Sequence, residues 1–185
     1  MQGDFIDDYQ NMTLKSLLDL KFVAERCPRV DYLIKSDDDM VLNLPYLTDI
    51  IRSKEPMRRS IMGPFNGGSR VQRDGVWRLT HDEFPFDRFP AYESGSAYVI
   101  TGDLVSQLFE TAEYVPPIFI DDVYITGILG RIVGVQHVVM KGFAYWGNKQ
   151  PTACDLTQRK IITGTKMLPQ RLTELWDALL QNPKG

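Results

Sequence analysis

The chain has 185 residues, of which 43% are apolar and 24% are charged, and its formal net charge is −3. This length and composition are typical of one globular domain, and the slightly acidic balance argues against a nucleic-acid-binding surface. No apolar run reaches the roughly 20 residues that a helix needs to cross a bilayer. We therefore expect a single domain over residues 1–185. Two cysteines, Cys27 and Cys154, leave a long-range disulfide and two free thiols equally open.

Helical and strand-like patterns alternate along the chain. Apolar residues at helical spacing predict helices over residues 12–26, 45–54, 103–111, 123–133 and 168–181. Short apolar runs predict strands near residues 32–34, 60–65, 97–100 and 135–140, and residues 70–79 are typical of a hairpin with Asp74-Gly75 at its tip. This alternation predicts an α/β fold with a mostly parallel sheet and one antiparallel insertion.

Three consecutive aspartates, Asp37, Asp38 and Asp39, follow the first predicted strand. Adjacent carboxylates in a confined space repel one another, and burying them without a partner is costly. Hard oxygen ligands suit Mg²⁺ or Mn²⁺, and ligands of open α/β sheets gather at the carboxyl ends of strands. The pattern therefore predicts a divalent cation at this turn, with a solvated acidic turn as the alternative.

A second acidic pair, Asp121 and Asp122, follows the apolar run 118–120, which we interpret as another strand. If both acidic groups face one cleft, the first would hold the cation and the second would supply a general base. Neighbouring carboxylates raise one another's pKa, which brings a carboxylate closer to useful base strength. A cation held by aspartates mainly serves phosphate chemistry. Ser94-Gly95 would let the backbone approach a ligand closely, with a plain turn as the alternative.

Four motifs, in order and at matching spacings, resemble glycosyltransferase family 31. This is the family of β-1,3-galactosyltransferases, β-1,3-N-acetylglucosaminyltransferases and fringe-like enzymes. The resemblance covers nearly the whole chain. The motifs are Asp4-Phe5-x-Asp7-x-Tyr9-x-Asn11-x-Thr13-Leu14-Lys15, Lys35-x-Asp37-Asp38-Asp39, Phe89-Pro90-x-Tyr92-x-Ser94-Gly95-x-x-Tyr98-Val99 and Asp122-Val123-Tyr124-x-x-Gly127.

The resemblance implies a GT-A-like nucleotide-diphospho-sugar transferase fold, a UDP-sugar donor, Mn²⁺ and inversion at the anomeric carbon. It implies a hexosyltransferase that acts in protein glycosylation and moves galactose, or alternatively N-acetylglucosamine, to the 3-hydroxyl of a glycan on a glycoprotein or glycolipid. Family members act on the luminal side of the Golgi membrane, held by an N-terminal anchor that this chain does not contain. Residues 1–185 would be the C-terminal two thirds of the catalytic domain, without its first strands.

The resemblance also implies roles for particular residues. The aspartate triplet corresponds to the DxD motif, with Asp39 and Asp37 as metal ligands. The UDP-sugar site comprises Lys35, Asp37, Asp38 and Asp39. Asp122 corresponds to the general base that deprotonates the acceptor hydroxyl. The remaining substrate-binding candidates are Trp77, Tyr92, Ser94, Gly95 and Asp121.

The chain departs from the family pattern at three positions. Asp121 stands where members usually have Glu, Glu93 where many have Cys, and Thr165 where many have a His that is a third metal ligand. Two other functions remain open. One is a non-catalytic glycosyltransferase-like module. The other is a Mg²⁺-dependent phosphatase of the haloacid-dehalogenase type, in which Asp37 would be the nucleophile.

Overall fold

A computed structural model describes residues 2–53, 57–144 and 150–181. Its α-helices are α1 (Met12–Arg26), α2 (Leu44–Arg52), α3 (Gly102–Ala112), α4 (Gly130–Val133), α5 (Ala153–Thr157) and α6 (Pro169–Gln181). A 3-10 turn spans Tyr9–Asn11, and a π-helical segment spans Val123–Leu129 directly before α4. The strands are β1 (Tyr32–Ser36), β2 (Val41–Leu42), β3 (Ser60–Gly63), β4 (Phe65–Asn66), β5 (Tyr92–Glu93), β6 (Ala97–Thr101), β7 (Gln136–Val139) and β8 (Thr163–Gly164).

The central sheet has the strand order β1-β6-β3-β7. Strand β6 runs antiparallel to both β1 and β3, and β3 runs parallel to β7. The α/β class is confirmed. The prediction of a mostly parallel sheet is wrong for the central sheet, in which two of the three strand pairs are antiparallel. All five residues of β6 are buried. A strand covered on both faces is apolar throughout, so its sequence carries no signal of its direction.

The two faces of the sheet support separate parts of the core. Along β6, Tyr98 and Ile100 belong to one buried cluster, and Ala97 and Val99 belong to the other. This alternation follows from the two-residue period of a strand. The first cluster packs against α1, α3 and the π-helical segment, and the second includes Leu47 of α2. The sheet therefore lies between helices on both faces.

A third cluster, formed by Val41, Leu156, Met167, Leu175 and Leu179, joins the C-terminal helices to β2. Helix α6 was predicted almost to the residue, because its apolar side is strictly periodic. The short helix α5 was missed. It begins with a reciprocal capping box, in which the side chains of Thr152 and Asp155 each bond to the other's backbone N–H.

The predicted hairpin over residues 70–79 is wrong, since the described chain forms no strand there. The turn at Gly75 is present, with a φ of +77°. Arg73 fixes the surrounding loop by donating to the carbonyl oxygens of Leu79, Thr80, Phe84 and Phe86. These four hydrogen bonds, all donated by one guanidinium group, hold the loop in place of the interstrand hydrogen bonds of a hairpin.

Within the described residues, no helix is long and apolar enough to cross a membrane. Cys27 and Cys154 are both free thiols.

Candidate functional site

The first acidic group lies in the turn after β1. Asp37 donates its backbone N–H to the carbonyl of Ser96 at 2.9 Å, and the backbone carbonyl of Asp39 accepts a bond from the backbone N–H of Met167 at 2.9 Å. Strand β2, directly after the turn, pairs with β8. The turn is therefore held from the middle of the sheet and from the C-terminal segment.

The second acidic group begins the π-helical segment. The run before it, 118–120, is not a strand as predicted; Ile118 is buried, and its carbonyl accepts a bond from the hydroxyl of Thr13. Asp122 caps the segment, accepting from the backbone N–H of Val123 at 2.7 Å. Such π-helical turns occur often at functional sites.

Gly95 brings the chain before β6 against Asp122. Its backbone N–H donates to Asp122 Oδ2 at 2.5 Å. A Cβ at position 95 would lie 2.9 Å from both Cβ and Oδ2 of Asp122, closer than real Cβ atoms come to other atoms. The glycine is therefore required for the backbone to approach this carboxylate.

Lys35 connects the two acidic groups. Its Nζ lies 2.5 Å from Asp37 Oδ1 and 3.5 Å from Asp121 Oδ2. Asp121 Oδ2 also accepts a bond of 2.7 Å from the hydroxyl of Ser16, on the inner side of α1. Both acidic groups thus face one site, an arrangement that the sequence allowed as one possibility. No motif singled out Ser16, which only the packing of α1 brings here.

A cleft of about 510 Å³ contains nearly all the predicted site residues. Its lining includes Lys35, Asp37, Asp39, Trp77, Tyr92, Ser94, Gly95, Asp121, Asp122 and Thr165. The exposed Asp38 instead lines a neighbouring cavity of about 660 Å³, together with Asp19. Asp37, Asp39 and Lys35 line both, so the aspartate turn lies where the two spaces meet.

Burial dominates the electrostatics of the site. It raises the pKa of Asp122 to about 7, with a further contribution from the charge of Asp121. The sequence argument expected a raised pKa from neighbouring charge, which is the smaller cause. Burial also raises the pKa of Asp37, although Lys35 opposes the shift. For Lys35, burial lowers the pKa, but Asp121 and Asp37 outweigh it and the net direction is upward.

The aspartate turn provides an incomplete set of metal ligands. Among the described residues, no group of three or more His, Cys, Asp or Glu side chains is arranged to hold a metal ion. Asp37 and Asp39 do line the same cleft. Mg²⁺-like cations often bind through one or two carboxylates together with substrate phosphates. The donor set therefore fits a cation whose remaining ligands come from a bound diphosphate.

An aromatic wall lies across the cleft. The Trp77 indole N–H donates to the hydroxyl of Tyr9 at 2.7 Å, and the Tyr9 ring lies 6.3 Å from that of Phe119. Trp77 is half-buried, whereas Tyr92 is only 8% exposed. Tyr92 therefore offers little open surface for stacking; its ring packs against Phe89 with the centroids 6.3 Å apart. Tyr9 was quoted in a motif without a role, and its contact with Trp77 spans 68 residues of sequence.

Comparisons with a family model and with known proteins both find galactosyltransferases. A family model described as galactosyltransferase matches residues 1–141. Beta-1,3-galactosyltransferase 5 from Homo sapiens is 30% identical over 188 residues, covering 100% of this chain and 60% of the relative. The Mus musculus beta-1,3-galactosyltransferase 5 is 32% identical over 183 residues, covering 97% and 58%. Beta-1,3-galactosyltransferase 1 from Mus musculus is 29% identical over 178 residues, covering 94% and 53%. The chain therefore spans less than two thirds of the length of these relatives.

Proposed function

The chain belongs to the galactosyltransferase family, and on this basis we propose that it transfers galactose from a UDP-sugar to the 3-hydroxyl of a glycan acceptor. The observation that carries the proposal is the position of Asp122, which faces the same cleft as Asp37 and Asp39. One acidic group would serve the donor and the other would serve the acceptor. N-acetylglucosamine remains the alternative sugar.

Asp122 is suited to act as the general base. Each carboxylate oxygen accepts one backbone N–H, from Val123 and Gly95, and an ionised carboxylate has about four acceptor positions. Acceptor capacity therefore remains for a substrate hydroxyl. Its pKa of about 7 lies near the pH at which a base both exists in the ionised form and accepts a proton readily.

The proposed step inverts the anomeric carbon. The acceptor oxygen forms a bond to the anomeric carbon while the bond from that carbon to the phosphate oxygen breaks. The acceptor's proton moves to Asp122, and the electron pair of the broken bond leaves with UDP. Asp122 stands at the start of the π-helical segment and the Asp37–Asp39 turn follows β1, so the proposed base and the proposed donor site come from separate segments that line one cleft.

Asp37 and Asp39 would hold Mn²⁺ in this proposal, with Asp38 and Lys35 near the nucleotide. When bound, the cation would neutralise the charge that develops on the diphosphate. The positive charge of Lys35 offsets the repulsion between the two acidic groups through its contacts with Asp37 and Asp121.

The aromatic wall supplies the acceptor side. Trp77 and Tyr9 line the same cleft as Asp122 and present apolar surface to it. Aromatic faces with a fixed orientation suit the apolar side of a sugar ring. We assign the acceptor to a glycan on a glycoprotein or glycolipid in the Golgi lumen.

A transfer assay tests the proposal. The chain is incubated with Mn²⁺, either UDP-galactose or UDP-N-acetylglucosamine, and a panel of glycan acceptors. We expect galactose transfer, lost in Asp122→Asn and kept in Asp177→Asn, a matched change at an exposed position of α6. Transfer that survives in Asp122→Asn would contradict the assigned base.

Calorimetry with UDP separates the remaining hypotheses. We expect Mn²⁺-dependent binding that Asp39→Ala abolishes and Asp177→Ala leaves intact. Binding without any transfer would favour the non-catalytic module. Family membership argues against the phosphatase hypothesis, which would need hydrolysis of an aryl phosphate that depends on Asp37.

A further inference from the structure

A carboxylate is buried behind the site, where the proposed chemistry does not use it. Glu93, the second residue of β5, has 0% exposure. Its Oε1 lies 3.2 Å from Nδ1 of His137, and its Oε2 is buried without a hydrogen-bond partner. Buried carboxylates are costly unless paired and hydrogen-bonded. A half-satisfied carboxylate in the middle of the fold requires an explanation.

The surroundings of Glu93 are built around this pair. Tyr92 lines the cleft, so strand alternation directs Glu93 to the opposite side. His137 belongs to β7, and its ring lies 5.4 Å from that of Phe65 on β4. On β3, a Cβ at Gly63 would come within 3.3 Å of Glu93 Oε2. The carboxylate therefore joins β5 to β7 across the end of β3.

The backbone of Glu93 leads directly to Asp122. Its N–H donates to Thr126 Oγ1 at 2.9 Å, and that hydroxyl lies 2.6 Å from the carbonyl of Asp122. Two residues later, the N–H of Gly95 bonds to the Asp122 carboxylate. The N–H of Ser94, between them, donates to the carbonyl of Pro64 at 2.9 Å. Any displacement of Glu93 would therefore reach the proposed base through two short routes.

We propose that the Glu93–His137 pair is a positioning device, which holds a shared proton and fixes the 93–95 segment against Asp122. Neither residue lines the cleft, so neither is a catalytic residue. The effect on turnover rests on the proposed function, whereas the effect on the Gly95–Asp122 contact does not.

The shared proton follows from the geometry. With one proton, the pair exists either as carboxylate and imidazolium or as carboxylic acid and imidazole, and both forms keep the hydrogen bond. Without it, a negative charge remains at a site with no exposure. The other neighbours described above are uncharged: the hydroxyl of Thr126, the ring of Phe65 and the backbone of Gly63. Burial raises the pKa of Glu93, and the bond and charge of His137 partly offset the shift.

This arrangement makes stability depend on pH with a definite sign. A carboxyl whose folded pKa is raised stabilises the fold at low pH and loses that contribution as pH rises through the folded pKa. The variant Glu93→Gln cannot lose a proton. We therefore expect its melting temperature to rise relative to the unmodified chain as pH increases, whereas Glu110→Gln, an exposed change on α3, leaves the pH dependence unaltered.

The second measurement is the amide resonance of Gly95 in NMR spectra. We expect His137→Gln to shift it, because the contact with Asp122 changes, and His81→Gln, at the exposed second histidine, to leave it in place. For turnover, we expect Glu93→Ala to lower kcat about 10- to 100-fold at nearly constant donor KM, the scale of a small misplacement of a reacting group. Glu93→Gln should restore most of that loss.

The outcomes separate this inference from the proposed function. A Gly95 resonance that is unmoved in both Glu93→Ala and His137→Gln, together with an unaltered pH dependence of melting in Glu93→Gln, would overturn the positioning pair. A shifted resonance in a chain that shows no transferase activity would support the pair and reject the proposed function. Equal loss of kcat in Glu93→Ala and Glu93→Gln, with Gly95 unmoved, would also overturn it.

Discussion

Gly95 donates its backbone N–H to the carboxylate of Asp122, at an approach that no other residue could make. The contact orients the proposed base and brings the 93–95 segment to the edge of the cleft. We expect Gly95→Ala to lower kcat by about 100-fold, because the added methyl group must displace the carboxylate. Steady-state kinetics at varied donor concentration would measure this loss of kcat.

Gly67→Ala is the matched control for that change. A Cβ at position 67 has a single neighbour within 4 Å, a ring atom of Phe65 at 3.9 Å, so it fits without displacement. We expect its kinetics to be unchanged. A Gly95→Ala protein with normal kcat would show that Asp122 does not need this contact.

The raised pKa of Asp122 predicts opposite effects of pH on rate and on stability. The base must be ionised, so kcat/KM should rise with pH through about 7 and then level off. Asp122→Asn should lose about 100- to 10,000-fold in kcat, the usual contribution of a general base. A pH–rate profile of the unmodified chain measures the first effect.

Rising pH has the opposite effect on stability through the same carboxyl group of Asp122. Its folded pKa lies above the ordinary value of 3.8, so its protonated form stabilises the fold and the contribution is lost as pH rises through about 7. Asp122→Asn should therefore gain in melting temperature over the unmodified chain between about pH 5 and about pH 8. Asp74→Asn, at an exposed turn, should show no such gain in melting temperature. A constant difference across that range would contradict the raised pKa.

The sequence predicted the parts of this molecule that depend on periodic local patterns. Helix α1 covers the predicted residues 12–26, because its apolar residues repeat at helical spacing. The sequence also allowed the two acidic groups to meet, because unpaired carboxylates after a buried run need a positively charged partner. From the sequence we expected a divalent cation in that role and Lys35 only in the UDP-sugar site, whereas the structure shows the Lys35 ammonium group between Asp37 and Asp121.

Other features depend on contacts between distant parts of the chain. The direction of β6 is set by its neighbours, because a strand buried on both faces is apolar in either direction. The hydrogen bond from Trp77 to Tyr9 and that from Ser16 to Asp121 each join segments far apart in sequence. The pairing of Glu93 with His137 is of the same kind, since the two residues are 44 positions apart. Such pairs leave no periodic signal.

Lys35 should contribute to stability beyond an ordinary surface ion pair. Its side chain is 15% exposed, and that of Asp121 is 13% exposed. Lys35→Met keeps the length of the side chain but removes the ammonium group that contacts Asp37 and Asp121. We expect a loss of about 1–3 kcal/mol in the free energy of unfolding, as for other partly buried partners. Denaturant unfolding would measure it.

Lys21→Met provides the comparison for Lys35. Lys21 contacts Glu25 at 3.9 Å on the outer side of α1, where its side chain is 51% exposed. Exposed pairs of this kind contribute little, so we expect a change below about 0.5 kcal/mol. Equal effects of the two substitutions would mean that Lys35 acts as a surface charge.

Arg73 determines the shape of the loop that carries Trp77. Its guanidinium donates to four backbone carbonyls, and a lysine ammonium cannot reproduce that planar set of donors. Because the proposed function assigns Trp77 to the acceptor, we expect Arg73→Lys to raise the acceptor KM while the donor KM stays constant. The exposed Arg78→Lys, in the same loop, is the control. If both KM values rose together, the loop would support the whole cleft and the division into donor and acceptor sides would be wrong.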